Sequence, residues 1–221
     1  MATTTTRWSL RKPAAGDTIS PTLDLGGPYD TIDANLGTYV CTSATRPGSP
    51  IQGQTIYETD TRREYIWSGS VWLPRGPLVA VKTTDKTANA STTLSDDPQL
   101  SLPVLASTTY LLSALLIWST GTGPDAKFGL TVPAGCTWQV APFGIPTSVT
   151  ATAGSIETAV FTASGIPLGG VAAGTKTAAL VTGTVVVGGT AGTVTISWAQ
   201  NTSNASNTVL YTGSSLQLTR V

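Results

Sequence analysis

Histidine is absent from the 221-residue sequence, there are two cysteines and one methionine, and only 11% of the residues are charged. Without histidine, nucleophilic sites of the Ser-His-Asp or Cys-His kind are excluded, and no GxSxG elbow occurs. Zinc and iron lose their commonest ligand, so no metal and no cofactor is expected. Cys41 and Cys136 stand far apart with no CxxC spacing, which speaks against a disulfide framework. The longest apolar stretch, Tyr110 to Trp118, is nine residues, where a membrane-crossing helix needs about 20. It reads as a buried strand, and no membrane insertion is expected. The leading MATTTTRWSLRKP has no apolar region after its charges, so synthesis in a cytoplasm is the expectation.

Charge of one sign is lacking too. Lys plus Arg and Asp plus Glu each number 12, and the balance is 7 against 7 before Pro77 and 5 against 5 after it. A nucleic-acid partner would need a basic stripe to neutralise phosphates, and neither half has one. A chain with zero net charge and few ions is prone to self-association, which is harmless only where association is its purpose.

What the sequence does contain is the chemistry of strands and turns. Thr, Ser, Ala and Gly dominate, with 23 Gly and 14 Pro, and runs of the strong helix formers Glu, Lys, Gln and Arg are missing. Residues 1–38 carry Pro13, Pro21 and Pro28 among scattered apolar side chains with neither a two-residue nor a 3.6-residue period. They read as an extended arm that docks into other subunits, with Trp8, Leu10, Arg11 and Tyr29 as its expected contacts. Residues 39–77 then alternate in TIYETDT and REYIWSG, with SVWLP following, and predict a small β-hairpin attachment module with cross-strand contacts among Ile56, Tyr65, Trp67 and Trp72. From 78 to 221, eleven short alternating runs separated by Gly, Pro, Asn and Asp predict an all-β sandwich or barrel.

Two stretches carry resemblances. RPGSPIQGQTIYETDTRREYIWSGSVWLP, residues 46–74, resembles a short module of tail-fibre and minor tail proteins of phages that infect actinobacteria. That likeness implies a place on a virion and no particular chemistry. GTVTISWAQNTSNASNTVLYTGSSLQLTRV, residues 192–221, resembles the closing strands of trimeric jelly-roll heads of the tumour necrosis factor and complement type. It implies a ten-strand jelly-roll knob and a homotrimer, with Trp198, Leu216 and Leu218 as expected trimer contacts.

Together these imply a non-enzymatic structural protein of a tailed-phage particle whose partners are its own copies and the major capsid or tail proteins. With no heptads or collagen triplets to build a shaft, a capsid decoration is slightly favoured over a minor tail protein. A carbohydrate-binding adhesin for host surface glycans is the rival. The residues that could carry other chemistry read blandly. Asp96-Asp97-Pro98 predicts a turn before a strand at Leu100, and Glu58, Asp60 and Glu64 predict solvated ion pairs beside Arg62 and Arg63. Asp85, Asp96, Asp97 and Asp125 fit no EF-hand. Trp118, Trp138, Phe143 and Tyr211 are candidates for stacking on sugars, with core burial expected for both tryptophans.

Overall fold

The computed structural model describes residues 37–147 and 155–221, together with the backbone of two short paired strands, β1 (Thr3–Thr4) and β2 (Arg11–Lys12). Of the expected arm contacts, Trp8, Leu10 and Tyr29 lie outside the described residues, and of Arg11 only the backbone pairing with Thr4 is described. The chain divides into two compact units, Met1–Arg75 and Gly76–Val221.

In the first unit, β3 (Tyr39–Cys41), β4 (Thr55–Glu58), β5 (Arg63–Trp67) and β6 (Trp72–Pro74) form one sheet in that order. Three antiparallel strands come from the alternating runs, and β3 adds itself parallel to β4, which the local pattern does not announce. The expected cross-strand contacts form: Ile56 faces Tyr65, and Trp67 faces Trp72 with ring centroids 5.3 Å apart. Glu58 corrects the expectation of solvated ion pairs. Its side chain is fully buried and bonded to Arg46 from the preceding Pro-Gly loop, while Thr61 Oγ1 donates to its other oxygen at 2.8 Å. Arg46 also lies over the Tyr65 ring, so one guanidinium ties the loop to both central strands.

The second unit is all-β, and no helix occurs among the described residues. Its strands are β7 (Leu78–Val81), β8 (Lys86–Ala88), β9 (Ser95–Val104), β10 (Thr109–Ser119), β11 (Ala126–Thr131), β12 (Thr137–Phe143), β13 (Ile166–Leu168), β14 (Thr177–Val186), β15 (Gly192–Gln200), β16 (Thr208–Leu210) and β17 (Ser215–Arg220). The pairing is nested. The outermost, β7, pairs with β17 at the other end of the unit; inside it β9 pairs with β15, then β10 with β14, then β11 with β13. That inward nesting is the jelly-roll wrapping. It produces one sheet in the order β12-β14-β10-β17-β7, extended at one end by the β16·β8 pair, and a second in the order β13-β11-β15-β9. β12 is an added edge strand beside β14.

Alternation builds the core. Along β10, Tyr110, Leu112, Ala114, Leu116 and Trp118 are all buried, and the intervening residues up to Ile117 face out. Leu100, Leu168, Trp198, Leu210, Leu216 and Leu218 meet them from the other strands with essentially no exposure. This places the three expected trimer contacts inside the unit: Trp198, Leu216 and Leu218 face the chain's own core and have no surface to offer a neighbour. Period-two alternation is the reason, since the residues that most resemble an interface are those on the inward parity.

Three strand readings also change. Asp96-Asp97-Pro98 is not a turn but part of β9, at a wide irregularity where residues 97–100 face only Ile196 of β15. Asp97 is buried there against the equally buried Lys82, Nζ to Oδ2 2.6 Å. Two of the eleven alternating runs expected as strands, STTL at 91–94 and IETAVFT at 156–162, are not strands. The latter makes only two isolated bridges, Gly144 with Glu157 and Val140 with Phe161.

Candidate interaction face

The register of the five-strand sheet brings its outward side chains into rows. Phe143 of β12, Leu180 of β14, Leu115 of β10, Ser215 of β17 and Val81 of β7 form one row. Ala141, Thr182, Ser113, Gln217 and Val79 form the next. Gln139, Thr184, Leu111 and Thr219 follow, then Thr137, Val186 and Thr109. No position in these rows carries a charge. Seven of the side chains, Val79, Val81, Leu111, Leu115, Phe143, Leu180 and Val186, are large apolar groups between 39% and 52% exposed.

A solvated sheet face normally alternates with charged or strongly polar residues. The other sheet of this unit covers itself instead. On β15 the outward Thr195, Ser197 and Ala199 are as buried as the core residues beside them. Ser164 reaches back over the neighbouring strand, its hydroxyl donating to Leu130 O and accepting from Leu130 N, both at 3.1 Å. Gly129 makes room for it, since a Cβ there would sit 2.5 Å from the Ser164 Cβ. No described segment lies over the centre of the five-strand face, where Leu111, Leu115 and Leu180 remain open.

The described carboxylates hold loops in place. Asp60 accepts from the Ser43 backbone N–H and hydroxyl, which keep its carboxyl below the ordinary range. Asp85 accepts from Thr212 N, Asp96 from the Thr131 hydroxyl, Asp125 from Gly170 N and Glu157 from Ala159 N. Among the described residues, no three His, Cys, Asp or Glu side chains cluster as metal ligands would. Burial pushes both thiols up, Cys41 and Cys136 alike, so at neutral pH they are protonated and poor nucleophiles. Of the aromatic residues considered for sugar stacking, Trp118 and Trp138 are buried, Phe143 belongs to the uncharged face, and Tyr211 lies beneath the Lys176 ammonium with its hydroxyl 2.9 Å from that of Ser119. These four do not form one platform. The outward partners on β10, β14 and β17 went unnamed in the sequence reading because they are ordinary Leu, Val, Thr and Ser; only the strand register shows them side by side.

No protein-family model matches the chain, and no curated protein does. Among solved structures, that of the infectious bursal disease virus Gx strain is 12% identical across 80% of this chain and 50% of that one, with a TM-score of 0.19. The VP2 subviral particle of infectious bursal disease virus is 11% identical across 79% of this chain and 50% of that one, with a TM-score of 0.18. The chain thus spans about half the length of the chains in these two structures, to which it is only slightly similar.

Proposed function

We infer that this chain is a structural protein of a tailed-phage virion. Its jelly-roll unit is a knob that assembles as a trimer, and its N-terminal residues attach it to the particle. The observation that carries this reading is the outer face of the five-strand sheet: broad, without charge, and studded with half-exposed Leu, Val and Phe. An exposed apolar patch of this kind marks an interaction site, because leaving it in water forgoes about 25 cal/mol for every Å² that could be buried. Two properties of the chain favour copies of itself as the occupant. It has zero net charge, so copies carry no net repulsion, and no position in the rows of the face carries a charge that would select a charged partner.

Attachment to a phage particle is supported by residues 46–74, which resemble an actinobacteriophage tail module, and by a small sheet that buries few apolar side chains of its own and gains by docking. A decoration on the capsid is slightly favoured over a minor tail protein, since the sequence given has no heptads or collagen triplets to build a shaft that carries the knob outward. The deciding measurements are direct. Light scattering behind size exclusion should give three times the 22.6 kDa chain mass at micromolar concentration, and a monomer would end the trimer reading. Gold-labelled antibody on intact particles should decorate heads; label confined to the tail would transfer the role there, and no label at all would remove the protein from the virion.

A further inference from the structure

A threefold ring needs two different patches on each chain. Around a threefold axis every contact joins one surface of a copy to a different surface of the next, whereas a twofold axis lets a patch meet its own equivalent. The uncharged sheet face supplies one patch. Its counterpart on the neighbour must be apolar, poor in free charge, and separate from the rows of the face.

Three large apolar side chains of the second unit are exposed outside those rows among the described residues: Ile156, Val160 and Val221. Val221 adjoins the charged Arg220. Ile156 and Val160 share one short segment and are 63% and 64% exposed, more than any member of the face. Backbone pairing fixes that segment on both sides of Val160. Glu157 N donates to Gly144 O at 2.8 Å, and Phe161 exchanges two hydrogen bonds with Val140, at 2.8 and 2.9 Å. Phe161 packs against the core while Val160 beside it stands out in water. Glu157, the one charged residue between 155 and 165, already accepts from Ala159 N at 2.9 Å. The result is an anchored aliphatic ridge along the β12 edge.

We propose that this ridge packs onto the uncharged face of the next copy, over Leu111, Leu115 and Leu180, and that three such contacts close the ring. The inference rests on the trimer read above and adds which surface of the neighbour covers the face. Two features favour this occupant. The electrostatics match, because the face has no charge and the single carboxylate of the ridge is bonded to its own backbone, so closure strands no ion. The ridge also begins where the face ends: Gly144, which bridges to Glu157, directly follows Phe143 of the first row. Each chain thus presents both patches side by side, as a pinwheel of three requires.

Cross-linking of the full-length chain tests it. In a Cys136→Ser background, which leaves the buried Cys41 as the remaining thiol, Val160→Cys and Leu115→Cys are introduced singly and together and treated with a short bis-maleimide. The double variant should give covalent dimers and trimers on a denaturing gel. An equimolar mixture of the two single variants should give dimers, and neither single variant alone should link to itself. Val160→Asp should weaken self-association by at least about a hundredfold, with an unchanged β-sheet circular dichroism spectrum. A parent chain that is monomeric in solution ends the trimer reading and this inference with it. A trimeric parent whose Val160→Asp variant keeps the trimeric mass overturns the ridge alone. So does a mixture that forms no dimers, or a Leu115→Cys chain that links to its own equivalent.

Discussion

Single residues in this chain show how few ions a neutral β-knob can hold and where it holds them. The Lys82–Asp97 pair is almost without exposure, and its 2.6 Å contact replaces water for both charges. Removing one partner leaves the other buried and uncompensated, so Lys82→Met and Asp97→Ala should each cost about 3–5 kcal/mol in urea unfolding, while the double replacement by apolar residues should recover most of that loss. If the single and double variants unfold alike, the pair is not coupled. Asp125 behaves differently. Among the described residues no cation pairs with it, and burial raises its carboxyl above the ordinary 3.8, offset in part by the Gly170 N–H. The folded chain therefore holds this proton more tightly than the unfolded chain, and the group's contribution to stability declines as pH rises from about the unfolded value through the folded one. Asn at this position can still accept from Gly170 and never ionises. Asp125→Asn should thus raise the melting temperature more at pH 7 than at pH 4, and the reverse order would contradict a destabilising buried carboxylate.

At the level of strands, legibility followed periodicity. The long alternating runs of β10, β14 and β15 were plain in the sequence because their inward Leu, Val, Ile and Trp recur at every second residue. The aromatic pairing of β4, β5 and β6 was equally plain. What stayed hidden were elements whose formation is decided by a distant partner. β8 and β13 are three residues each and exist because β16 and β11 pair with them. The Asp96-Asp97-Pro98 stretch carries turn residues, yet Pro98 is tolerated in an edge strand where its missing N–H faces no neighbour, and Asp97 is turned inward by Lys82. Parity was the other blind spot. Trp198, Leu216 and Leu218 were legible as important residues, but the face to which they point is fixed only when both sheets are assembled. The β12·β14 ladder adds a local constraint. At Gly183 an added Cβ would lie 2.0 Å from the Gln139 carbonyl oxygen, which is backbone and cannot swing aside. Gly183→Ala should therefore cost several kcal/mol, on the order of other overpacked sites, measured as a lowered urea midpoint; a neutral outcome would mean that the two strands can separate locally.

For the whole molecule the central question is what covers the five-strand face. Leu115 sits in the middle of it, half exposed and flanked by Leu180. Leu115→Asp places a charge where only neutral neighbours exist, which a free monomer would tolerate well, since the position is open to water. For the proposed trimer, the expected result is loss of the trimeric mass with an unchanged β-sheet circular dichroism spectrum; a variant that keeps that mass would move the interface elsewhere.

The nested pairing also decides how the knob bears load. Because β7 and β17 run antiparallel, with Leu78 beside Leu218, the knob's first and last strands enter and leave at the same end. Tension between residues 76 and 221 would peel that ladder open one rung after another, at low force. Tension between residue 76 and the loop at 204–207, where Ala90 N donates to Asn204 O at the far end, would shear several rungs together. A particle that grips this knob at its N-terminal side and meets resistance at the opposite tip would be pulling along its mechanically strong direction.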